Sequence, residues 1–239
     1  MSDDWDDIAE WWIETTHDDP TESEETLALL GELVDPNARR TLDLGCGDGQ
    51  ALGQLGVGAI GVDLSHRLLA RARLLAPVVR CRLPDLTWVR PGSVDQAVAV
   101  GLLDLLPNHA AFFEQVASAV RPNGTLVVVV NHPVITAPES EPVVDDHGEV
   151  SWRWGRYLEC GTVAEPADHR IVEMHHRPLG VLLTAAAEAG WHLERMIERG
   201  PTPHTITTLP HHRGHEQLPS LLGVRWQRHP SPHRPRGAP

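Results

Sequence analysis

Residues 41–49 read Thr41-Leu42-Asp43-Leu44-Gly45-Cys46-Gly47-Asp48-Gly49, and a second apolar run, Ala59-Ile60-Gly61-Val62, follows and ends at Asp63. An apolar run that closes in a glycine-rich turn predicts a buried parallel strand feeding a helix. Glycine in that turn lets a ligand touch the backbone, because no side chain stands in the way. An acid at the end of the second run can accept hydrogen bonds from two ribose hydroxyls. Together the two segments predict a βαβ unit that binds a nucleoside.

Spacing then separates cofactor classes. A dinucleotide site wants G-x-G-x-x-G, with a helix N-terminus aimed at a pyrophosphate. Here Gly45, Gly47 and Gly49 give G-x-G-x-G. Asp43, two residues ahead of Gly45, would repel a pyrophosphate and suits a cationic group. S-adenosylmethionine carries an ammonium and a sulfonium and no phosphate. On these residues the segment resembles the first motif of class I S-adenosylmethionine-dependent methyltransferases. Read without that resemblance, the same turn is a tight strand–helix connection with no ligand.

Outward from this unit the chain alternates. Strands are expected at 41–44, 59–63, 78–83, 94–100 and 125–130, with helices at 50–55, 65–75 (capped by Ser65) and 109–120. A helix at 179–189, ended by Gly190, leads to two strands at 191–198 and 220–227. Joined by a loop without a crossover helix, those two are antiparallel. The fold class is therefore α/β: a Rossmann-like, doubly wound, mostly parallel seven-stranded sheet with an antiparallel last strand and a lid inserted after strand 5. The organisation expected is an N-terminal helical cap at 1–40, a cofactor-binding core at 41–132, a substrate lid at 133–176, a C-terminal part of the core at 177–228 and a disordered tail at 229–239. In the cap, Ile8, Trp11 and Trp12 share one helical face, and Thr21 or Ser23 opens a helix that runs to Val34. The lid is rich in Pro, Glu, Asp and His and lacks strong periodicity.

Composition narrows the function. The 239 residues carry 33 acids against 20 basic residues, a net charge of −13, which disfavours a nucleic-acid partner. Lysine is absent from the sequence, so Schiff-base chemistry and a lysine base are excluded. No apolar run reaches the roughly 18 residues of a membrane span, the first residues are acidic, and Cys46, Cys81 and Cys160 make no disulfide framework. A cytoplasmic protein, monomer or homodimer, acting on a small molecule is expected. The fifteen histidines include a cluster at His204, His211, His212 and His215, but no metal-ligand spacing accompanies it. It is read as a solvated loop, and no metal is expected.

The resemblance extends over about residues 5–227 and assigns roles. It places the methionine part of the cofactor at Asp43, Gly45, Cys46 and Gly47. It places the ribose on Asp63, with Leu64 beside the adenine, and a strand 3 acid, Asp85, near the adenine amine with Leu86 following. Gly101 and Leu102, after strand 4, lie under the methionine part. The segments Asp7-Ile8-Ala9-Glu10-Trp11-Trp12, Asn131-His132-Pro133 and His175-His176-Arg177-Pro178 are similar to small-molecule methyltransferases. Relatives carry Tyr where this chain has Trp5 and Trp12, and often His where it has Asp104. Trp5, Trp12, Trp152 and Tyr157 are candidates to face the acceptor or the sulfonium through cation–π attraction, worth about 0.5–2 kcal/mol each. His132, His175 and His176, with an ordinary pKa of about 6.5, are candidate general bases for a hydroxyl acceptor. The reaction expected is methyl transfer from S-adenosylmethionine to a small molecule, at oxygen before nitrogen or carbon. The alternatives are a catalytically degenerate cofactor-binding regulator, a tRNA or protein methyltransferase, and an NAD-dependent oxidoreductase.

Overall fold

The computed structural model describes residues 4–229. The tail expected beyond that point lies outside the described residues, as do the first three residues of the cap. The N-terminal arm forms α1 (Asp4–Asp7) and α2 (Ala9–Asp18), then a single π-helical turn at Thr21–Glu25 that runs into α3 (Thr26–Leu33). The residue at the cap position of that turn is Pro20, rather than Thr21 or Ser23, and Asp19 just ahead of it accepts the Thr21 N–H through Oδ1 at 2.7 Å.

From Thr41 the chain lays down β1 (Thr41–Leu44), β2 (Ala59–Asp63), α4 (His66–Ala72), β3 (Val78–Arg80), β4 (Val94–Val100), α5 (His109–Ala119) and β5 (Val120–Asn131). Ser65 caps α4 as expected, accepting the Leu68 N–H at 3.2 Å. The helix expected at 50–55 is only a 3₁₀ turn at Leu52–Gln54, because Gly53 and Gly56 remove the propensity for anything longer. Strand β3 stops at Arg80 rather than at residue 83. Cys81 makes one more ladder bond, to the Asp63 carbonyl at 2.9 Å, and the chain then leaves the sheet ahead of Pro84, which has no N–H to donate.

After the insertion come α7 (Leu179–Glu188), β10 (Trp191–Arg199), a short helix α8 (Pro203–Thr208) and β11 (Leu221–Arg228). The seven-stranded sheet runs β10-β11-β5-β4-β1-β2-β3. Every pairing is parallel except those of β11, which lies antiparallel between β5 and β10. The valine run of β5 explains why the sheet is covered on both faces. Leu126, Val128 and Val130 pack with Phe112, Phe113, Leu182 and Ala186 of α5 and α7. Val127 and Val129 pack with Leu29, Leu30 and Leu33 of α3 and with Leu69 and Ala72 of α4. Successive residues of one strand thus supply both layers, as a period of two requires.

The insertion is not patternless. It opens with α6 (Pro133–Thr136) and continues as two antiparallel hairpins, β6 (Glu141–Val144) with β7 (Val150–Arg153) and β8 (Gly161–Ala167) with β9 (Arg170–His176). Buried Arg177 pins the second hairpin to the loop after β4. Its guanidinium donates to the carbonyls of Leu103 at 3.1 Å, His175 at 3.3 Å and Leu106. The histidine loop is not freely solvated either: His215 stacks edge-on against Trp152, ring centroids 5.3 Å apart. Among the described residues no group of His, Cys, Asp and Glu is arranged to hold a metal, and no helix is long and apolar enough to cross a membrane.

Phe113 is fully buried and meets Phe112 and Trp226 in edge-to-face contacts with centroids 5.5 and 5.6 Å apart. Truncating it opens a cavity in the layer formed by α5 and β11. Phe113→Ala should lower unfolding stability by about 3–5 kcal/mol, read from the urea midpoint at unchanged slope. A loss below about 1 kcal/mol, the range of surface substitutions, would show that this layer is not closely packed.

Candidate active site

The carboxyl ends of β1, β2 and β4 open under the N-terminal arm, and a cavity of about 320 Å³ lies between them. The site is built around one carboxylate. Asp63, at the end of β2, accepts the Gly47 N–H at 3.0 Å through Oδ2 and the Ser65 N–H at 2.8 Å through Oδ1. It therefore fixes the glycine turn after β1 and the start of α4 together. Burial raises its pKa, while the backbone donors Ser65 and Gly47 pull it back down. Gly47 has φ +54°, and a Cβ built on it would meet nothing within 4 Å. Glycine is needed here for the backbone angle, and the side-chain space it leaves free belongs to the cavity.

Asp43 forms the floor. It is 1% exposed, and neither carboxylate oxygen has a hydrogen-bond partner. Burial, and then the charge of Asp63, push its pKa from 3.8 up to about 7. A buried acid without donors is costly unless a ligand supplies them. A cation carrying N–H donors meets both needs, so the donor set fits an ammonium group.

The roof comes from the N-terminal arm. Trp5 and Trp12 line the cavity and touch edge to face, centroids 5.4 Å apart; Glu22, Thr26 and Leu27 continue the roof toward β5. The arm is tied down at several points. Asp6 accepts from Ser65 Oγ at 2.6 Å and from the Arg67 N–H at 3.0 Å. Glu10 pairs with Arg71 at 2.6 Å, His17 with Asp48 at 2.9 Å, and Gln50 donates to Thr16 at 3.2 Å. Asp7 pairs with Arg170 at the start of β9.

Of the residues named from sequence, Asp43, Gly45, Cys46, Gly47, Asp63, Leu64, Gly101, Leu102, Trp5 and Trp12 line this one cavity. The others lie elsewhere. Asp85 turns back on its own loop and accepts the Thr87 N–H at 3.0 Å and hydroxyl at 2.7 Å, contacts that lower its pKa. Leu86 is 3% exposed in the hydrophobic core. Their place at the β3 end of the cavity is taken by Cys81, Arg82, Leu83 and Pro84. Trp152 donates to the Val134 carbonyl at 3.3 Å and packs on His215. The Tyr157 hydroxyl accepts the Leu179 N–H at 3.3 Å.

The three histidines also miss the cavity. His132 Nδ1 accepts the Val134 N–H at 3.1 Å and caps α6, which leaves the proton on Nε2, directed at Glu198 at 2.9 Å. His176 Nε2 donates to the Tyr157 carbonyl at 2.9 Å, and its Nδ1 faces the Thr136 hydroxyl at 3.1 Å. His175 lies across from Thr162 in the β8–β9 hairpin, 3.4 Å from its hydroxyl. Burial lowers the pKa of all three. His132 and His176 thus have both ring nitrogens engaged by structural partners, and the three histidines expected as bases stand outside the cavity lining.

Comparison with known proteins agrees with this geometry. The model of a family described as methyltransferase domain matches residues 16–159. A crystal structure of an S-adenosylmethionine-dependent methyltransferase from Mesorhizobium loti superposes with a TM-score of 0.73 at 30% identity, over 84% of this chain and 96% of that one. Trans-aconitate 2-methyltransferase of Rhizobium meliloti is 32% identical over 106 residues, 42% of this chain and 41% of its own length. Ubiquinone biosynthesis O-methyltransferase of Xanthomonas campestris is 34% identical over 97 residues, 36% of this chain and 41% of its own length. The matched part therefore spans about two-fifths of these two curated relatives. The chain belongs to the methyltransferase-domain family, in its class I S-adenosylmethionine-dependent branch, and S-adenosylmethionine is its cofactor.

Asp43 generates a pH prediction. A cationic cofactor favours the ionised carboxylate, so S-adenosylmethionine affinity should rise as pH is raised through about 7 and then level off. The free protein should show the opposite trend. A folded-state pKa above the unfolded value means the native state holds the proton more tightly, so stability falls as pH rises from near 3.8 through about 7. Asp43→Asn should flatten both profiles, weaken binding by at least about tenfold and stabilise the free protein at alkaline pH. Calorimetry and thermal unfolding across pH check this, and an unchanged affinity profile in the variant would remove Asp43 from the cofactor site.

Proposed function

We propose that this protein transfers the methyl group of S-adenosylmethionine to an oxygen of a small-molecule acceptor. The observation that carries the reading is the shape of the site: a roofed cavity of about 320 Å³ whose wall continues past the glycine turn to Leu105, Leu106 and Pro107. That leaves room for a compact acceptor beside the cofactor and little for a polymer. The net charge of −13 supports the same choice over a nucleic-acid substrate. The names of the relatives, one an O-methyltransferase and one acting on trans-aconitate, favour oxygen.

The cofactor, when bound, supplies a methyl group already activated on a sulfonium. The chain's own residues then have three tasks. Asp63 and the Gly45–Gly47 turn hold the nucleoside and methionine parts in register with β1 and β2. Trp5 and Trp12 exclude water and present ring faces to positive charge, worth about 0.5–2 kcal/mol each. The hydrophobic wall at Leu102, Leu105 and Leu106 positions the acceptor, and alignment of two reactants is worth roughly 7–11 kcal/mol of a barrier. Cytoplasmic location and a monomeric or homodimeric state accompany this proposal.

The test is methyl transfer from labelled S-adenosylmethionine into separate pools of phenolic, carboxylic and amine metabolites, bulk tRNA and cell protein. Label should enter a small oxygen-bearing compound. Incorporation confined to tRNA or protein would contradict the reading, and S-adenosylhomocysteine binding without any incorporation would favour a binding protein.

A further inference from the structure

The seven-stranded order gives the cavity a direction. Strands β2 and β3 lie on one side of β1, and β4 and β5 on the other. Asp63, Leu64 and the Cys81–Pro84 segment mark the nucleoside end, so the acceptor end lies over β4 and β5. The ionisable group in the lining at that end is Glu22. It sits in the π-helical turn Thr21–Glu25, a local distortion often found at functional sites. Asn131, the last residue of β5, stands beside its carboxylate and favours the ionised form.

Its surroundings are acidic. Asp19 presses on it from the preceding turn, and Asp104, 8% exposed, from the segment after β4. Arg177 faces Asp104, but its guanidinium is occupied by three backbone carbonyls. Arg82, a basic residue in the lining, stands at the opposite end beside β3. Burial, and then Asp19, raise the pKa of Glu22. A carboxylate so placed repels a second anion and attracts a neutral O–H donor.

We infer that Glu22 is the base that takes the proton of the acceptor, and that the acceptor is an uncharged hydroxyl compound rather than a carboxylate. The inference rests on the cavity being the site of methyl transfer. The acceptor oxygen forms the new C–O bond, the methyl–sulfur bond breaks with its electron pair staying on sulfur, and the hydroxyl proton passes to a Glu22 oxygen. The products are the methyl ether, neutral S-adenosylhomocysteine and protonated Glu22, which returns its proton to solvent. A carboxylate acceptor would need no base and would meet the Glu22 carboxylate in the lining, while Asp104 and the Arg177 that faces it stand outside that lining.

The experiment uses the full chain, wild type and Glu22→Gln, each first titrated with S-adenosylhomocysteine. Comparable affinity in both shows an intact cofactor site; failure of the wild type to bind would reject the methyl-transfer reading itself, apart from Glu22. Catechol and benzoate, similar in size and opposite in charge, are then titrated into the S-adenosylhomocysteine complexes. Catechol should bind the wild type at least about tenfold more tightly than benzoate, and the variant should lose most of that preference. With labelled S-adenosylmethionine, methylation of catechol should fall about 10²–10⁴-fold in Glu22→Gln, with partial recovery in Glu22→Asp. Wild-type protein that binds benzoate as tightly as catechol, fails to bind catechol, or keeps its preference and rate in Glu22→Gln overturns the inference.

Discussion

The two hydrogen bonds accepted by Asp63, from Gly47 and from Ser65, join three pieces of the structure through one carboxylate. One is the glycine turn after β1, one is the start of α4, and one is the end of β2 itself. The turn places Gly45 and Gly47 along the cavity. Ser65 then receives the N-terminal arm, because its hydroxyl donates to Asp6. The same carboxylate contributes to the raised pKa of Asp43 beneath it. The free site therefore gathers negative charge that the fold alone does not need. Such an arrangement lowers stability without ligand and is matched by a cofactor bearing positive charge, the usual exchange of stability for function.

Much of the sheet was legible in the sequence because its strands are apolar on both faces and end in glycine, proline or acid. The antiparallel pair at β10 and β11 was expected from a loop connection; the connection holds the short helix α8, yet the chain still returns alongside β10 and the pairing is antiparallel. The hairpins of the insertion were not legible. Residues 141–144 are exposed throughout, and β8 holds Pro166 in a strand whose faces are both partly wet. Period-two patterning needs one dry face, and these strands have none.

The site was legible where backbone geometry dictates residue type. Gly47 is fixed by its angle, and Asp63 by the N–H groups it must accept. Side-chain direction was not legible. His132 does follow the carboxyl end of β5, but Pro133 begins a helix there, and the ring turns to cap it. Asp85 had the right place in the chain and the wrong orientation, for a similar local reason. Glu22 was hidden because the expected α-helix became a π turn, which changes the face each residue presents. The insertion, read as the lid, contributes no residue to the cavity lining, and the arm supplies the roof instead.

That the N-terminal arm closes the site, with Asp63 as the anchor beneath it, is the claim on which the rest depends. Amide hydrogen exchange with and without S-adenosylhomocysteine tests it most directly. The account predicts slowed exchange along α2, the glycine turn and the start of α4, with the β6–β9 hairpins unchanged. Protection concentrated in those hairpins, with α2 exchanging as fast as in the free protein, would contradict it.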